Sequence, residues 1–218
     1  MGSNIMSREF LDIFENWASD YDQSVAGLDP EYAAVFENYD QILNEVARLV
    51  VGKVMEFGVG TGNLSKKLRE KGHQVIGIEP SKPMRDIAKK KFPQLELLDG
   101  DFLDFPEDNA PVDTIVSTYA FHHVKDEDKE EAIKKAKEVL TGNGKIIIGD
   151  TMFESVKMKQ ATIRQAEQRG YVNLAEDLRR EYYPTLRVIT SALENNDFDV
   201  TFKQMNHFVW IAIAEFKK

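Results

Sequence analysis

"VMEFGVGTGNL", residues 54–64, contains a change of period. Val54 to Phe57 form a short, mostly apolar run of buried-strand length. Leu64 and Leu68 then take up helical spacing. Between the two runs stand Gly58, Gly60 and Gly62, at alternate positions. Glycine at a strand-to-helix junction serves a tight turn at positive φ, or lets the backbone approach a ligand. A phosphate loop, GxxxxGK[ST], needs a lysine and a hydroxyl after its last glycine, and Asn63 and Leu64 stand there instead. A dinucleotide loop, GxGxxG, needs its third glycine at position 63, which is Asn63. The last glycine comes one residue early, giving GxGxG.

Strands and helices alternate outward from this loop. "KVMEFG" (53–58), "QVIGIEP" (74–80), "LELLDGD" (95–101), "DTIVSTYA" (113–120) and "KIIIGDT" (145–151) read as strands. Ser81 caps the helix after the second, with Pro83 in its first turn. "DEDKEEAIKKAKEVL" (126–140) reads as a solvated outer helix stopped by "TGNG" (141–144). This order predicts an α/β fold, a parallel sheet with helices on both faces. Residues 152–197 are mostly helical in pattern, broken at Tyr183–Pro184. "FDVTFKQM" (198–205) and "FVWIAIAEF" (208–216), two residues apart, predict an antiparallel hairpin. Near the start, Phe10, Ile13, Phe14, Trp17, Ala18 and Tyr21 share one helix face, and a second helix is predicted over Tyr32 to Leu49. Residues 1–218 therefore read as one domain. It has an N-terminal helical lid region (8–50), a ligand-binding core (53–151), a helical substrate-side insert (152–197) and a terminal hairpin (198–216).

Composition narrows the function. The net charge is −9, which argues against nucleic acid as a partner. Lys89 to Lys91 end a helix, where cations complement its dipole. There is no Cys, hence no disulfide and no thiolate metal site. No apolar run is long enough to span a membrane, and no signal-peptide core precedes Met6, so a cytoplasmic location is expected.

Two acids extend the reading of the loop. Glu79 ends the second strand, about 20 residues beyond the glycines, where a carboxylate accepts both hydroxyls of a ribose. It also suits an acid beside a helix start. Asp101, followed by Phe102, ends the third strand. There an acid can take an adenine amino group and a ring can cover the base. Asp101 can equally cap the turn "FLDF". All three elements lie at the C-terminal ends of strands, the ligand edge of an open α/β sheet.

With "VIGIEP", "DGDF" and "DTIVSTYAFHHV", the glycine stretch resembles motifs I to IV of class I S-adenosylmethionine-dependent methyltransferases. More narrowly, the chain resembles small uncharacterised methyltransferases of Bacillus and its relatives. The resemblance implies a three-layer Rossmann-like fold, whose seven-stranded, mostly parallel sheet has an antiparallel last strand. It implies S-adenosylmethionine as cofactor and a small-molecule methyl acceptor. Gly58 and Gly60 would pass close to the methionine part, Gly62 would also belong to the cofactor site, Glu79 would bind the ribose, Asp101 and Phe102 would hold adenine, and Ser117 would lie near the cofactor's end. "WASDYD" (17–22) resembles the leading helix of small-molecule members, which puts Tyr21 at the cofactor. An acidic, partly dry pocket suits a sulfonium cation.

His122 and His123 follow the fourth strand and are the general-base candidates. On an extended segment adjacent side chains point opposite ways, so one of them is expected to face the pocket. No metal site is expected, because His73 and His207 lie far off and no helical two-histidine spacing appears. Tyr182, Tyr183 and Pro184 read either as an acceptor wall or as surface packing, and Trp210 as core. Two rival functions remain. A nicotinamide oxidoreductase would also use Glu79, but Asn63 and the Asp101–Phe102 pair oppose it. A cofactor-binding regulator without chemistry would keep the same motifs.

Overall fold

The structure is a computed structural model that describes residues 20–218. The helix face predicted over Phe10 to Ala18 lies outside the described residues. Seven strands form one sheet: β1 (Val54–Phe57), β2 (Val75–Ile78), β3 (Glu96–Leu98), β4 (Val112–Thr118), β5 (Leu140–Thr151), β6 (Phe198–Gln204) and β7 (Val209–Phe216). Their order is β3-β2-β1-β4-β5-β7-β6. β7 runs antiparallel to both of its neighbours, and the other pairs are parallel. The chain winds one way from β1 to β3 and then the other way from β4. The switch point therefore lies between β1 and β4, where such sheets open a crevice for ligands.

Alternation along the strands explains the layers. In β1, Met55 and Phe57 face a core that includes Ile133 and Leu193, whereas Val54 faces one that includes Val46, Leu64 and Leu68. In β5, Ile146 and Ile148 take the first side and Ile147 the second. Strands buried on both faces need apolar residues at consecutive positions, and "KVMEFG" and "KIIIGDT" supply them. The first face is covered by α5 (Lys129–Glu138) and α8 (Leu186–Glu194). The second is covered by α2 (Tyr39–Leu49), α3 (Asn63–Glu70) and α4 (Lys82–Lys91). Each fully buried aliphatic side chain contributes about 1.5–3 kcal/mol.

A third cluster lies over the ligand edge. It joins Tyr32, Val35 and Phe36, which follow α1 (Tyr21–Val25), to Ala166 of α6 (Val156–Gln168) and to Leu174 and Leu178 of α7 (Val172–Arg180). The N-terminal segment and the insert thus roof the same edge.

Most predicted elements are present, with shifted ends. Ser81 caps α4 through the Met84 N–H, with Pro83 in the first turn. The helix predicted from Tyr32 begins only at Tyr39, because Asn38 sits at φ 61°, a left-handed conformation that interrupts a helix. Val35 and Phe36 are buried all the same, from turns. "TGNG" belongs to β5 rather than closing the helix before it. β5 is already paired at Val112↔Leu140, and the register shifts before Thr114↔Lys145. At the hairpin, the Asn206 side-chain oxygen accepts the N–H groups of Phe208 (2.8 Å) and Val209 (2.6 Å), a local turn that fixes the register.

Candidate active site

The three glycines are all left-handed, for three different reasons. A Cβ on Gly58 would stand 2.3 Å from that of Ala120. One on Gly62 would stand 2.9 Å from the Phe92 ring, so this glycine lets α3 pack on the end of α4. One on Gly60 would meet nothing within 4 Å. Gly58 and Gly60 line a cavity together with Tyr21, Glu79, Asp101 and Phe102. Gly62 does not line it.

Glu79 holds this loop. One carboxylate oxygen accepts the Gly60 N–H and the other the Ser81 N–H, each at 2.8 Å. Burial raises its pKa. Asp101 does what its capping alternative foresaw. Its Oδ1 accepts the N–H groups of Leu103 (2.8 Å) and Asp104 (3.0 Å) while the residue stays on the cavity wall. Phe102 stacks on Phe57 at 5.1 Å. Below the loop, Glu56 is buried against the Ser65 hydroxyl, and burial pushes its pKa up to about 8, so it carries a proton at neutral pH. From outside, Asp22 accepts from the Thr61 hydroxyl (2.7 Å) and from Asn63 (3.3 Å) and pairs with Lys91. These contacts tie the segment carrying Tyr21 to the glycine loop.

Ser117 lies elsewhere. It pairs in register with Phe57 and Ile148, so its side chain shares their face of the sheet. It lines a separate small apolar cavity, and among the described residues its buried hydroxyl has no hydrogen-bond partner. Thr118, Tyr119 and Ala120, one to three residues on, reach the larger cavity instead.

A second cavity adjoins the first, and Tyr21, Tyr119 and His123 line both. Its walls include Tyr32, Phe36 and Tyr183, which is the acceptor-wall reading of that tyrosine. Tyr119 takes φ 54°, a strained value for a bulky residue, at the boundary between the two cavities.

The histidines are not on an extended segment. Phe121–His123 is a 3-10 turn, and both imidazoles face the second cavity with centroids 4.0 Å apart. His122 lies 2.8 Å from Asp150 through Nδ1, gives the same carboxylate its N–H at 2.9 Å, and stacks on Tyr183 at 4.5 Å. Burial pulls its pKa down, but the Asp150 carboxylate outweighs this and the net shift is upward. His123 Nδ1 lies 2.9 Å from Glu181. Burial and the neighbouring His122 lower its pKa to about 4. Asp177 accepts from the Tyr183 hydroxyl and pairs with Arg180, each at 2.9 Å, and burial raises its pKa.

One sequence expectation is overturned here. Lys129, assigned to a solvated helix, is fully buried. Its ammonium donates to the carbonyls of Val124 (2.5 Å) and Tyr182 (2.9 Å) and to Asp126 (2.8 Å). The Tyr182 N–H donates to the His122 carbonyl at 2.9 Å, so the insert is stitched to the histidine turn. The sequence reading of metal ligands weighed His73 and His207. Folding instead gathers His122, His123 and Glu181, with one potential ligand atom from each within 4.8 Å of the others. Asp150 was legible in principle, since it ends a strand at the ligand edge as Glu79 and Asp101 do.

Known proteins bear on this geometry. The profile of a family described as a methyltransferase domain matches residues 54–144. An uncharacterized methyltransferase of Oceanobacillus iheyensis is 57% identical over 210 residues, covering 96% of this chain and 99% of that protein. One of Anoxybacillus flavithermus is 54% identical over 209 residues, covering 96% and 99%. Among solved structures, magnesium protoporphyrin IX methyltransferase from Synechocystis with bound SAM superposes with a TM-score of 0.72 at 16% identity over 100% of both chains. A DhpI–SAH complex gives 0.71 at 15%, covering 99% of this chain and 98% of that one. Such distant likeness speaks to the fold, which is the seven-stranded sheet described above. Relatives more than half identical along nearly the whole chain speak to kinship, and the chain belongs to this family of methyltransferases.

Proposed function

We propose that the chain moves a methyl group from S-adenosylmethionine, held in the cavity of the glycine loop, to a small molecule held in the adjoining cavity. The observation that carries this reading is the junction, where Tyr21, Tyr119 and His123 line both spaces. The donor cavity fits the group. Gly60 leaves room that any side chain would fill. In this reading Glu79 takes the ribose hydroxyls, and Asp101 with Phe102 takes adenine. The bound sulfonium supplies an electrophilic methyl, and the displacement is in line. The protein's work is then to hold the acceptor at about 3–3.5 Å from the carbon it attacks and to exclude water.

His122 and His123, on the acceptor side, activate the nucleophile by favouring loss of its proton. Tyr21 lines both cavities and, with Tyr32 and Phe36 over the second, forms a lid. A chain starting at Asp29, without Tyr21 and Asp22, is expected to fold yet bind donor much more weakly. Unfolding of that chain would make the segment core instead. The net charge favours a small molecule over nucleic acid. Among the described residues no helix is long and apolar enough to cross a membrane, and we place the protein in the cytoplasm.

The test has two arms. Calorimetry is expected to detect S-adenosylmethionine and its demethylated product but not NADH. NADH binding alone would favour the oxidoreductase. A screen of cell metabolites with methyl-labelled donor should yield a labelled small molecule. Donor binding with no labelled product would favour the regulator.

A further inference from the structure

We propose that His122, His123 and Glu181 bind one divalent transition-metal ion at the acceptor side of the junction, and that this ion receives an oxygen or sulfur of the acceptor. One ligand atom from each residue lies within 4.8 Å of the others, a separation that small side-chain rotations close. His123 and Glu181 already sit at 2.9 Å, near the roughly 3.3 Å between two ligands of one tetrahedral ion. Ion binding displaces the proton that now joins them.

The donor set selects the metal. Two imidazoles and one carboxylate suit zinc, cobalt or iron(II), whereas magnesium and calcium prefer oxygen throughout. Three protein ligands leave a position open, the pattern of catalytic rather than structural sites.

The surroundings fit a ligand better than a bystander. Asp150 is fully buried and lies 2.8 Å from His122 Nδ1. With the proton on Nδ1, the other nitrogen offers its lone pair, the arrangement in which a carboxylate orients a metal-bound histidine. Asp150 is itself fixed by the N–H groups of His122 (2.9 Å) and Thr151 (2.8 Å). Glu181 reaches the site from the insert, which Lys129 pins in place.

The location assigns the acceptor a chemical class. His123 also lines the donor cavity, so an ion here lies beside the reacting atoms. A Lewis acid lowers the pKa of an O–H or S–H that coordinates it. The acceptor is then a small protic molecule, an alcohol, phenol or thiol. Its proton leaves to water, and its oxygen or sulfur forms the bond to the methyl carbon. The carbon–sulfur bond of the donor breaks, leaving a neutral thioether. This acceptor role rests on the two-cavity reading. Ion binding by itself does not.

The test uses the full chain, stripped with chelator and titrated with cobalt(II) or zinc alone, followed by visible absorption and calorimetry. One cobalt per chain with ligand-field bands of a four- or five-coordinate site is expected, displaced by zinc and not by magnesium. His122→Ala and Glu181→Gln should abolish it, and His207→Ala, outside the site, should not. Asp150→Asn, a positioning change, should weaken binding by roughly 10–100-fold. Circular dichroism identifies any variant that fails to fold, and His123→Ala then supplies an independent arm. Failure of the wild type to bind cobalt stoichiometrically, or binding that survives loss of His122, His123 and Glu181, overturns the proposal. Cobalt binding by a protein that ignores S-adenosylmethionine would sustain the ion site and sink the donor assignment.

Discussion

The two cavities share three side chains, yet they are held together differently. In the donor cavity the acids are fastened by backbone. Glu79 accepts from Gly60 and Ser81, and Asp101 from Leu103 and Asp104, all within a few residues of a strand end. Around the cavity assigned to the acceptor the acids also pair with side chains, and Asp150 accepts two backbone N–H groups besides. Asp150 meets His122, Glu181 meets His123, and Asp177 meets Tyr183 and Arg180. A backbone-held site is a property of the fold, so a change in it alters loop geometry and cofactor affinity together. A site held by side-chain pairs can be rebuilt residue by residue without disturbing the sheet. This suits a fold that keeps one donor and varies its acceptors.

The largest expected effect separates the halves most sharply. His122 lines only the acceptor cavity. His122→Ala should lower kcat by about 10²–10⁴-fold, the range for a group that assists proton removal. Donor affinity should stay as in the wild type. A parallel loss of donor binding would show that the halves are not separable.

Next in size is a pH effect beneath the donor loop. Burial raises the Glu56 pKa from 4.5 to about 8. The folded protein therefore holds a proton that the unfolded chain releases at lower pH. The contribution is fully present below about pH 4.5 and falls away as pH rises to about 8, by up to a few kcal/mol. Glu56→Gln keeps the hydrogen-bonding shape and should flatten that part of the stability curve in denaturant titrations across this range. An unchanged slope would mean that Glu56 titrates normally.

Glu79→Ala is smaller and mixed. Charged hydrogen bonds are worth about 1.5–3 kcal/mol each, so donor affinity should fall at least about tenfold. The sequence alone gives no reason for a change in stability without donor. The structure adds one, because the N–H groups of Gly60 and Ser81 lose their acceptor. Melting of the donor-free protein should drop as well, and an unchanged melt would deny Glu79 its hold on the loop.

Ser117→Ala is expected to do least. Its buried hydroxyl has no partner among the described residues and faces an apolar space. Removing it should leave stability unchanged or raised by about 1 kcal/mol, and donor affinity untouched. A clear loss of donor binding would return Ser117 to the cofactor.

The same contrast governs what the sequence discloses. Gly58, Gly60, Glu79, Asp101 and Phe102 could be gathered to one cavity wall from the sequence, because each lies at or just beyond the end of a strand whose pattern is local. The parallel sheet followed from the alternation of elements, its seven strands from the family resemblance, and the hairpin from a two-residue gap. The acceptor side resisted because its pairs are distant: His122 and Asp150 are 28 residues apart, and His123 and Glu181 are 58. Reading the histidine segment as extended separated two side chains that a 3-10 turn brings together. Lys129 looked like any charge on an amphipathic helix, and only tertiary contacts bury it. The register of β4 decided Ser117, since a one-residue difference reverses the face of the sheet.

The account stands on a donor site and an acceptor site that are built separately and meet at one junction. Calorimetric titration of S-adenosylhomocysteine into the wild type, Glu79→Ala and His122→Ala tests this most directly. The prediction is measurable binding to the wild type, affinity at least about tenfold lower in Glu79→Ala, and unchanged affinity in His122→Ala. No binding to the wild type, or an equal loss in both variants, would contradict it.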